Sequence, residues 1–362
     1  MKNLFKVGCN FDPKLIDIVA ELNRKYEDTA CTKEFFGSLA MHSQLAARPA
    51  WRLQDIKLKE FEEYVKRALD NGVIFNYTLN SIIPYGSKQN IVKNKVIIQN
   101  IVKYLEDCGV KRVTIANPIL AMIVREVSDI SIEISTIAHL DTVTQLKYYH
   151  ETLGVDKFCG SLLKNRNKEF LKNAAKYCND HGLIYELLAN EFCGVAGDGY
   201  ATGCVYRDSC YICHATCETK EDSESYNNYP MKYCMFARNN NNESWIKMRA
   251  IRPEDLHYYN EIGLNYFKVS GRTGSTEYLA KCLESYMAQS FDGNFLSLWK
   301  PLETIYNGKS ESEHNFSEYI DNKKLDGFLD HWFVGDGFSC EDQICGETCN
   351  YCKEFYNKIM DK

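Results

Sequence analysis

The stretch KEFEEYVKRALDNGVIFNYTL, residues 59–79, shows the unit from which the fold is built. Its first part, Lys59–Asn71, carries apolar residues at helical spacing and predicts an amphipathic helix. Gly72 follows directly, and a glycine in this place is typical of a left-handed helix cap. The next residues, Val73–Leu79, are rich in β-branched and aromatic side chains and predict a strand. This stretch therefore predicts a helix that turns sharply into a strand.

The same unit recurs along the chain. Val92–Cys108 predicts another amphipathic helix, and glycines also stand at the other helix-to-strand turns, namely Gly109, Gly154, Gly182 and Gly263. Eight strands are predicted, at Phe5–Asn10, Glu34–Leu39, Val73–Leu79, Arg112–Ala116, Ile132–Ala138, Lys157–Cys159, Leu183–Ala189 and Tyr266–Val269. Eight strands that alternate with helices predict an α/β protein with a closed, parallel (β/α)8 TIM-like barrel. An open doubly wound sheet is the alternative, but no G-x-G-x-x-G follows the first strand, so a dinucleotide site has no support.

Length and composition fit one barrel with a small addition. The chain has 362 residues, with 45% hydrophobic and 25% charged residues, which is ordinary for a globular protein. A barrel takes roughly 250 residues. We therefore expect a barrel over residues 1–300, which includes a cysteine-rich insertion after strand 7 at about 190–260. Residues 301–362 are expected to form a linker and a small cysteine-rich C-terminal extension.

Charge and hydropathy limit the setting of the protein. The net charge of −6 does not indicate a general polyanion-binding surface. The N-terminal residues MKNLFKVGCNFDPKL contain no long apolar run and do not resemble a signal peptide. No stretch approaches the roughly 18 apolar residues that span a bilayer. We expect a cytoplasmic protein without a membrane partner.

The 16 cysteines are the most unusual feature of the composition. Disulfides are disfavoured in the cytoplasm, where clustered cysteines more often bind metal. Ten of the 16 fall between Cys193 and Cys234 or between Cys340 and Cys352. We expect most of the other six to be small buried apolar residues.

The first cluster lies in NEFCGVAGDGYATGCVYRDSCYICHATC, residues 190–217, and in the later MKYCMFAR. Four thiolates are enough for a [4Fe–4S] cluster or a structural zinc ion. Six are available here, so two are spare: Cys193, Cys204, Cys210, Cys213, Cys217 and Cys234.

The second cluster lies in the tail, CEDQICGETCNYCKEF, residues 340–355. Cys340, Cys345, Cys349 and Cys352 fall within 13 residues, which predicts a metal site that holds zinc or a second [4Fe–4S] cluster. The C-x3-C-x2-C spacing is also that of radical S-adenosylmethionine enzymes. In those enzymes the motif follows the first barrel strand, whereas only ten residues follow Cys352 here.

Several stretches resemble the peptidase U32 family. They are YELLANEFC at residues 185–193, GSLLKNRN at 160–167, and IRPEDLHYYNEIGLNYFKVSGRTGSTEYLAKCLESY at 251–286. The resemblance covers roughly residues 5–290. It implies a barrel with a four-cysteine [4Fe–4S] site. It also implies kinship to oxygen-independent hydroxylation proteins that act on quinone precursors, tRNA or ribosomal RNA, some of them as heterodimers.

The resemblance also implies a ligand set. Cys193 and Cys204 match the first ligands, while the third is open among Cys210, Cys213 and Cys217. In some relatives the last ligand follows the Asp-Leu turn, where this chain has His257. We expect Cys193, Cys204, Cys217 and Cys234 to bind the cluster, with Cys210 and Cys213 as alternatives, because thiolates dominate iron–sulfur ligation.

Candidate catalytic residues lie where barrel active sites are built, at the carboxyl ends of strands and in the following loops. Arg48 and Arg52, in ARPAWR after strand 2, could clamp a carboxylate or phosphate, or could form ordinary salt bridges. His139 could act as an acid or base, or could be a hydrogen-bonded core group. Lys268 and Arg272 are supported by the resemblance, and Glu186 could instead orient groups inside the barrel.

Three functions remain open at this stage. The first is an oxygen-sensitive iron–sulfur enzyme that modifies a small molecule, a peptide or RNA, for example by hydroxylation. The second is a peptidase, as the family name says, although no G-x-S-x-G or H-E-x-x-H motif occurs. The third is a non-catalytic iron–sulfur partner of a homologous subunit.

Overall fold

The computed structural model describes residues 1–192, 210–212, 215, 242–299, 318–335 and 338–360. Eight parallel strands close into a barrel in which each strand pairs with the next and the last pairs with the first. The (β/α)8 barrel predicted from the sequence is confirmed. The strands are β1 Asn3–Gly8, β2 Ala30–Gly37, β3 Ile74–Leu79, β4 Arg112–Ile115, β5 Ser131–Ile134, β6 Lys157–Cys159, β7 Ile184–Leu188 and β8 Tyr266–Val269.

Six of the eight strands differ from their predicted bounds, and for two of them, β2 and β5, the reason is identifiable. β2 begins at Ala30, four residues earlier than predicted, because Ala30–Thr32 pair with Asn3–Phe5 of β1. β5 ends at Ile134 because the chain turns into a short 3-10 helix, Thr136–Ala138. The hydroxyl of Ser135 caps that turn by accepting a hydrogen bond from the Ile137 amide at 3.3 Å.

Helices surround the barrel and begin at recognisable caps. Asp12 accepts a hydrogen bond from the Lys14 amide at 3.0 Å, and Thr142 and Gln145 cap each other reciprocally. None of the described helices is both long enough and apolar enough to cross a lipid bilayer. The helices are α1 Pro13–Lys25, α2 Leu58–Asp70, α3 Lys88–Lys93, α4 Lys95–Asp107, α5 Pro118–Arg125, α6 Val143–Leu153, α7 Lys168–Asp180, α8 Ser244–Lys247, α9 Leu256–Glu261, α10 Thr276–Ala288, α11 Asp330–Phe333 and α12 Tyr351–Met360.

The turns from helices to strands follow the predicted chemistry. All five glycines predicted at these turns have positive φ, from +59° at Gly154 to +93° at Gly109. At Gly154 the amide donates to the His150 carbonyl at 3.0 Å, which ends α6 in a left-handed cap. The predicted helix Val92–Cys108 is divided at Asn94, which separates α3 from α4.

The apolar core lies between the strands and the helices rather than inside the barrel. Phe61 of α2 packs edge-on against Phe75 of β3 with ring centroids 5.5 Å apart, and both side chains are fully buried. Because this outer layer supplies the hydrophobic burial that stabilises the domain, the barrel interior is available for polar side chains.

The C-terminal residues pack against the outside of the barrel. The Phe333 ring of α11 lies 5.0 Å from Tyr259 of α9. Lys168, at the start of α7, donates a hydrogen bond to the Phe333 carbonyl at 2.7 Å, and Lys164 forms an ion pair with Glu341 at 2.6 Å. The tail therefore rests on the loop between β6 and α7.

Candidate functional site

Side chains inside the barrel form four layers, each contributed by alternate strands. Strand register and the alternation of side chains place the layers in order from the amino to the carboxyl ends of the strands. From bottom to top they are Glu34, Arg112, Lys157 and Tyr266; then Lys6, Asn76, Glu133 and Glu186; then Phe36, Thr114, Cys159 and Lys268; and finally Gly8, Thr78, Ser135 and Leu188.

The first layer centres on the carboxylate of Glu34. It pairs with Arg112, lies 3.0 Å from the ammonium of Lys157, and accepts a hydrogen bond from the Tyr266 hydroxyl at 2.8 Å. Burial alone would raise the pKa of Glu34, but Lys157 and then Arg112 lower it to about 2. Glu34 is therefore ionised at neutral pH.

The second layer joins two glutamates to two lysines. Glu186 lies 2.6 Å from Lys6 and 2.6 Å from Lys157, while Glu133 pairs with Lys6 and lies 3.3 Å from Lys157. Burial opposes ionisation of Glu133, yet Lys6 and Lys157 lower its pKa well below the usual range. The two lower layers thus contain three carboxylates and three cations, and their charges cancel. The predicted catalytic residue Glu186 lies in this closed network, with its side chain fully buried.

Glu133, Cys159 and Glu186 also place three ligand atoms within 4.8 Å of one another, a spacing that a metal ion could use. The ammonium groups of Lys6 and Lys157 already neutralise both carboxylates at this point. Burial raises the pKa of Cys159 to about 12, so its thiol stays protonated. We therefore interpret this group as an ion-pair network, because both carboxylates are already paired with lysines.

Lys268 in the third layer breaks this balance. Its ammonium lies 4.3 Å from the centroid of the Phe36 ring, and the residue is 6% exposed. Lys268 forms no ion pair with a carboxylate of the described residues. Burial, and then the charge of Lys6, lowers its pKa. Lys268 is thus a cation in excess of the interior carboxylates.

Arg272 adds a second excess cation above Lys268. It follows β8 and crosses over β1, where a Cβ on Gly8 would come within 2.8 Å of the Arg272 backbone nitrogen. Its Nη1 donates to the Thr78 hydroxyl at 2.8 Å and to the Ser38 hydroxyl at 3.4 Å. Both partners are neutral. Burial, followed by the nearby positive charge of Arg48, lowers the pKa of Arg272 to about 9.

Arg48 completes a cationic mouth at the carboxyl ends of the strands. It is partly exposed and donates from Nη1 to the Ala47 carbonyl at 2.9 Å. No ion pair with a carboxylate is present for Arg48 or Arg272 in the described part of the chain. We call Arg48, Lys268 and Arg272 the mouth cations. Three of the residues predicted from the sequence are thereby brought together.

The other predicted residues lie elsewhere in the loops. The Arg52 guanidinium stacks on the neighbouring Trp51 ring at 4.4 Å. His139 has a left-handed backbone, with φ of 50°, and its ring lies 5.5 Å from that of Tyr211 in the insertion. His139 therefore marks where the cysteine-rich insertion meets the loop after β5.

The insertion cysteines fall mostly outside the described residues. Cys210 is described and is half-buried next to Tyr211, whereas Cys193, Cys204, Cys213, Cys217 and Cys234 lie outside the described ranges. The ligand set predicted for the first cluster therefore stays a prediction. His257, the alternative to Cys234, is exposed on α9, with its Nδ1 3.7 Å from Glu261.

All four tail cysteines are described, and Cys352 lies close to Arg166 and Arg249. Cys340 begins a short 3-10 helix, Cys345 and Cys349 pair across a tight turn, and Cys352 lies in the first turn of α12. Burial raises the pKa of Cys352 to about 11, against the opposing effects of Arg166 and Arg249. The stretch GSLLKNRN, which resembles the family, contains Arg166 but predicts no role for it. No sequence pattern indicates Arg249.

The fold and these sites define a (β/α)8-barrel protein with a cationic mouth and a thiol-rich tail. No family model matches the chain. The chain is 25% identical over 306 residues to the "Uncharacterized protease MJ1657" of Methanocaldococcus jannaschii. The matched region covers 83% of this chain and 82% of that protein. Among solved structures, the U32 peptidase Mk0906 is 16% identical with a TM-score of 0.45, covering 75% of this chain and 93% of its own. A GH113 beta-1,4-mannanase is 8% identical with a TM-score of 0.40, covering 80% and 99%. The chain resembles the U32 peptidase family, as its motifs predict.

Proposed function

We propose that the protein is an iron–sulfur enzyme resembling the U32 proteins, which modifies an organic anion at the mouth of its barrel. The observation that carries this proposal is that the net charge of the barrel interior changes from neutral in the lower layers to positive at the mouth. The lower layers are neutral, whereas Lys268, Arg272 and Arg48 have no carboxylate partner in the described part of the chain.

Such an arrangement favours an anionic ligand for a physical reason. A cation in a partly desolvated site is costly unless an opposite charge accompanies it. The guanidinium group of arginine matches the two oxygens of a carboxylate or phosphate. Thr78 and Ser38 both bind Nη1 of Arg272, and no described residue accepts a hydrogen bond from its Nη2 or Nε, which can therefore donate to a ligand.

The roles of the mouth residues follow from these contacts. Arg272 and Arg48 would hold the anionic group of the substrate, and the oriented hydroxyls would fix the position of Arg272. The ammonium of Lys268 would donate to an oxygen that gains negative charge during the reaction. His139, beside the insertion, would move a proton at the edge of the same site.

The donor set of the insertion fits an iron–sulfur cluster. Cys193, Cys204, Cys217 and Cys234 would hold a [4Fe–4S] cluster, with Cys210 and Cys213 as alternative ligands. The contact between Tyr211 and His139 supports a position for this part of the insertion near the mouth. When bound, the cluster would supply one-electron transfer. The tail cysteines would hold a second [4Fe–4S] cluster or zinc.

The substrate class is a small molecule, a peptide or RNA that presents one anionic group. The net charge of −6 favours a small molecule over an extended polyanion. A peptidase is the alternative, since a peptide carboxylate would also fit the arginines and the archaeal relative is named a protease. A non-catalytic partner of a homologous subunit is the third candidate.

The test is the iron and acid-labile sulfide content of anaerobically purified protein, with Mössbauer spectra, beside a Cys193→Ala variant. The proposal expects four irons that depend on Cys193. Peptide cleavage that survives removal of iron would favour the peptidase, and a stable hetero-oligomer with little activity of its own would favour the partner subunit. Zinc without iron in the wild-type chain would overturn the iron–sulfur proposal.

A further inference from the structure

The tail cysteines are held by a compact local fold. The amides of Glu347 and Thr348 donate to the Ile344 carbonyl at 3.1 and 2.9 Å, and the Gly346 amide donates to the Cys349 carbonyl at 3.0 Å. Gly346 takes φ of +89°, which a residue with a side chain rarely adopts. This turn places the backbones of Cys345 and Cys349 side by side as a bridge.

The other two cysteines approach the same point from separate elements. Cys352 lies in the first turn of α12, and the indole nitrogen of Trp332 donates to the sulfur of Cys340 at 3.1 Å. Trp332 is 1% exposed, so this donor is withdrawn from solvent. Hydrogen bonds to sulfur are among the features that set the properties of iron–sulfur clusters.

Arg166 lies near two of these cysteines, because its charge interacts with Cys340 and Cys352. Its guanidinium stacks 4.7 Å from the Trp332 ring and 4.9 Å from the Phe328 ring, and the residue is 5% exposed. Its Nη2 donates to the Ile246 carbonyl at 2.9 Å and to that of Met248, whereas its Nε has no partner within the described ranges. No described carboxylate forms an ion pair with Arg166, although a buried guanidinium requires a counter-charge.

We infer that the tail cysteines hold a polynuclear iron–sulfur cluster rather than a single zinc ion, and that Arg166 is the fixed counter-charge of that cluster. The inference rests on the proposed function only in assuming that the chain receives iron–sulfur clusters. Cluster and arginine together form one buried, charge-compensated site.

The spacing of the tail sulfurs favours an iron–sulfur cluster over a single zinc ion. Four thiolates at about 2.3 Å from one tetrahedral zinc lie roughly 3.8 Å from one another. In the described part of the chain, no three tail sulfurs lie within 4.8 Å of one another. A four-iron cluster holds its thiolates farther apart, because each thiolate binds a different iron. The tail therefore fits the larger group.

The position of Arg166 also links the tail to the insertion. The carbonyls that Arg166 binds belong to residues 246–248, which lead from the insertion back to β8. Asn165 binds the next carbonyl, that of Arg249, at 3.0 Å. Loss of the tail cluster should therefore increase the mobility of residues 246–249, which connect the insertion to the barrel, as well as that of the tail.

The first experiment measures iron, zinc and sulfide in the anaerobically purified full chain, in Cys349→Ala and in Cys193→Ala. About eight irons in the wild type, with about half lost in each variant, is the expected result. Four irons and one zinc would overturn the inference about the tail while leaving the proposed function intact. Zinc without iron would overturn both, so the two failures can be told apart.

The second experiment compares Arg166→Gln and Arg166→Lys by redox titration monitored by electron paramagnetic resonance, in the Cys193→Ala background. Removal of the positive charge in Arg166→Gln should make the reduction potential of the tail cluster more negative, and Arg166→Lys should restore much of it. Arg125→Gln is the matched control, because Arg125 also binds several backbone carbonyls, at the other end of the barrel.

Hydrogen exchange gives a readout that does not depend on the spectrum. Chelation of iron should increase amide exchange in α12 and in residues 246–249, while α5 stays unchanged. An unchanged potential in Arg166→Gln, together with retained iron and unchanged exchange, would show that Arg166 is not the counter-charge of the cluster.

Discussion

The lower half of the barrel interior and the mouth of the barrel both contain charged side chains, but among the described residues these charges are paired in the lower half and unpaired at the mouth. In the lower two layers, Glu34, Glu133 and Glu186 each contact at least one cation, and three carboxylates match three cations. At the mouth, Lys268 and Arg272 contact an aromatic ring and two hydroxyls. The charges of the first region are paired with one another inside the fold, and the unmatched charge of the second region is available to a ligand.

This difference separates residues that the sequence presents alike. Glu186 and Lys268 both lie on predicted strands, and the sequence indicates both as candidate catalytic residues. Glu186 is enclosed by Lys6 and Lys157 at 2.6 Å, so its charge is already used. Lys268 stands one layer higher, without such a partner among the described residues. A carboxylate partner is therefore a better guide to role than position on a strand.

The largest expected effect comes from removing one cation of the lower network. Lys157→Met leaves Glu34, Glu133 and Glu186 with one cation fewer in a fully buried site. Breaking a buried ion pair by removal of one partner costs about 3–5 kcal/mol. Urea unfolding should show a loss of that size.

The control is Lys147→Met, since Lys147 forms only an exposed pair with Glu151 at 3.8 Å. Exposed pairs contribute less than about 1 kcal/mol. If the two variants had equal stability, the lower layers would not be the stabilising network described above.

Acid should weaken the same network. The folded pKa of Glu34 lies at about 2, below the value of roughly 4.3 expected for an unfolded glutamate. The contribution of Glu34 to stability is therefore fully present above pH ~4.3 and is lost as the pH falls towards 2. Thermal unfolding measured from pH 6 to pH 3 should show a falling midpoint below that threshold. A flat profile through this range would contradict the ionised state assigned to Glu34.

At the mouth, Arg272→Gln should change binding more than stability. Hydrogen bonds to charged groups contribute about 1.5–3 kcal/mol, so affinity for a small carboxylate or phosphate should fall roughly 10- to 100-fold. Calorimetry with such anions measures this, and Arg272→Lys should lose less. Arg67→Gln, which removes an exposed pair with Asp17, is the control. Equal anion affinity in all variants would show that the anion does not bind at the mouth.

How far the sequence predicts this molecule depends on the range of the interactions involved. Helical spacing and the glycine turns are local features, so all eight strands and the closed barrel were predicted. The grouping of Arg48, Lys268 and Arg272 depends on two distant regions, the loop after β2 and the end of β8. Their lack of carboxylate partners among the described residues becomes visible only in three dimensions. The resemblance supplied Lys268 and Arg272, whereas no pattern placed Arg48 beside them.

The tail shows the same limit. The spacing of Cys340, Cys345, Cys349 and Cys352 predicted a metal site because the ligands are close in sequence. The spacing alone left zinc and iron–sulfur equally open, because the choice depends on distances between sulfurs. It also left out Arg166, which is 174 residues away from Cys340 in the chain and meets the tail only through folding.

The smallest effect should come from the ring beneath Lys268. Phe36→Leu keeps the site apolar but removes the π face at 4.3 Å, an interaction that contributes about 0.5–1 kcal/mol. Because the ring stabilises the charged form, its loss should lower the pKa of Lys268 and weaken anion binding by roughly two- to fivefold. Phe291→Leu, in which Lys281 loses a ring at 5.2 Å away from the mouth, should leave binding unchanged. If both variants bind anions as the wild type does, the Phe36 ring does not support the part that Lys268 plays in anion binding.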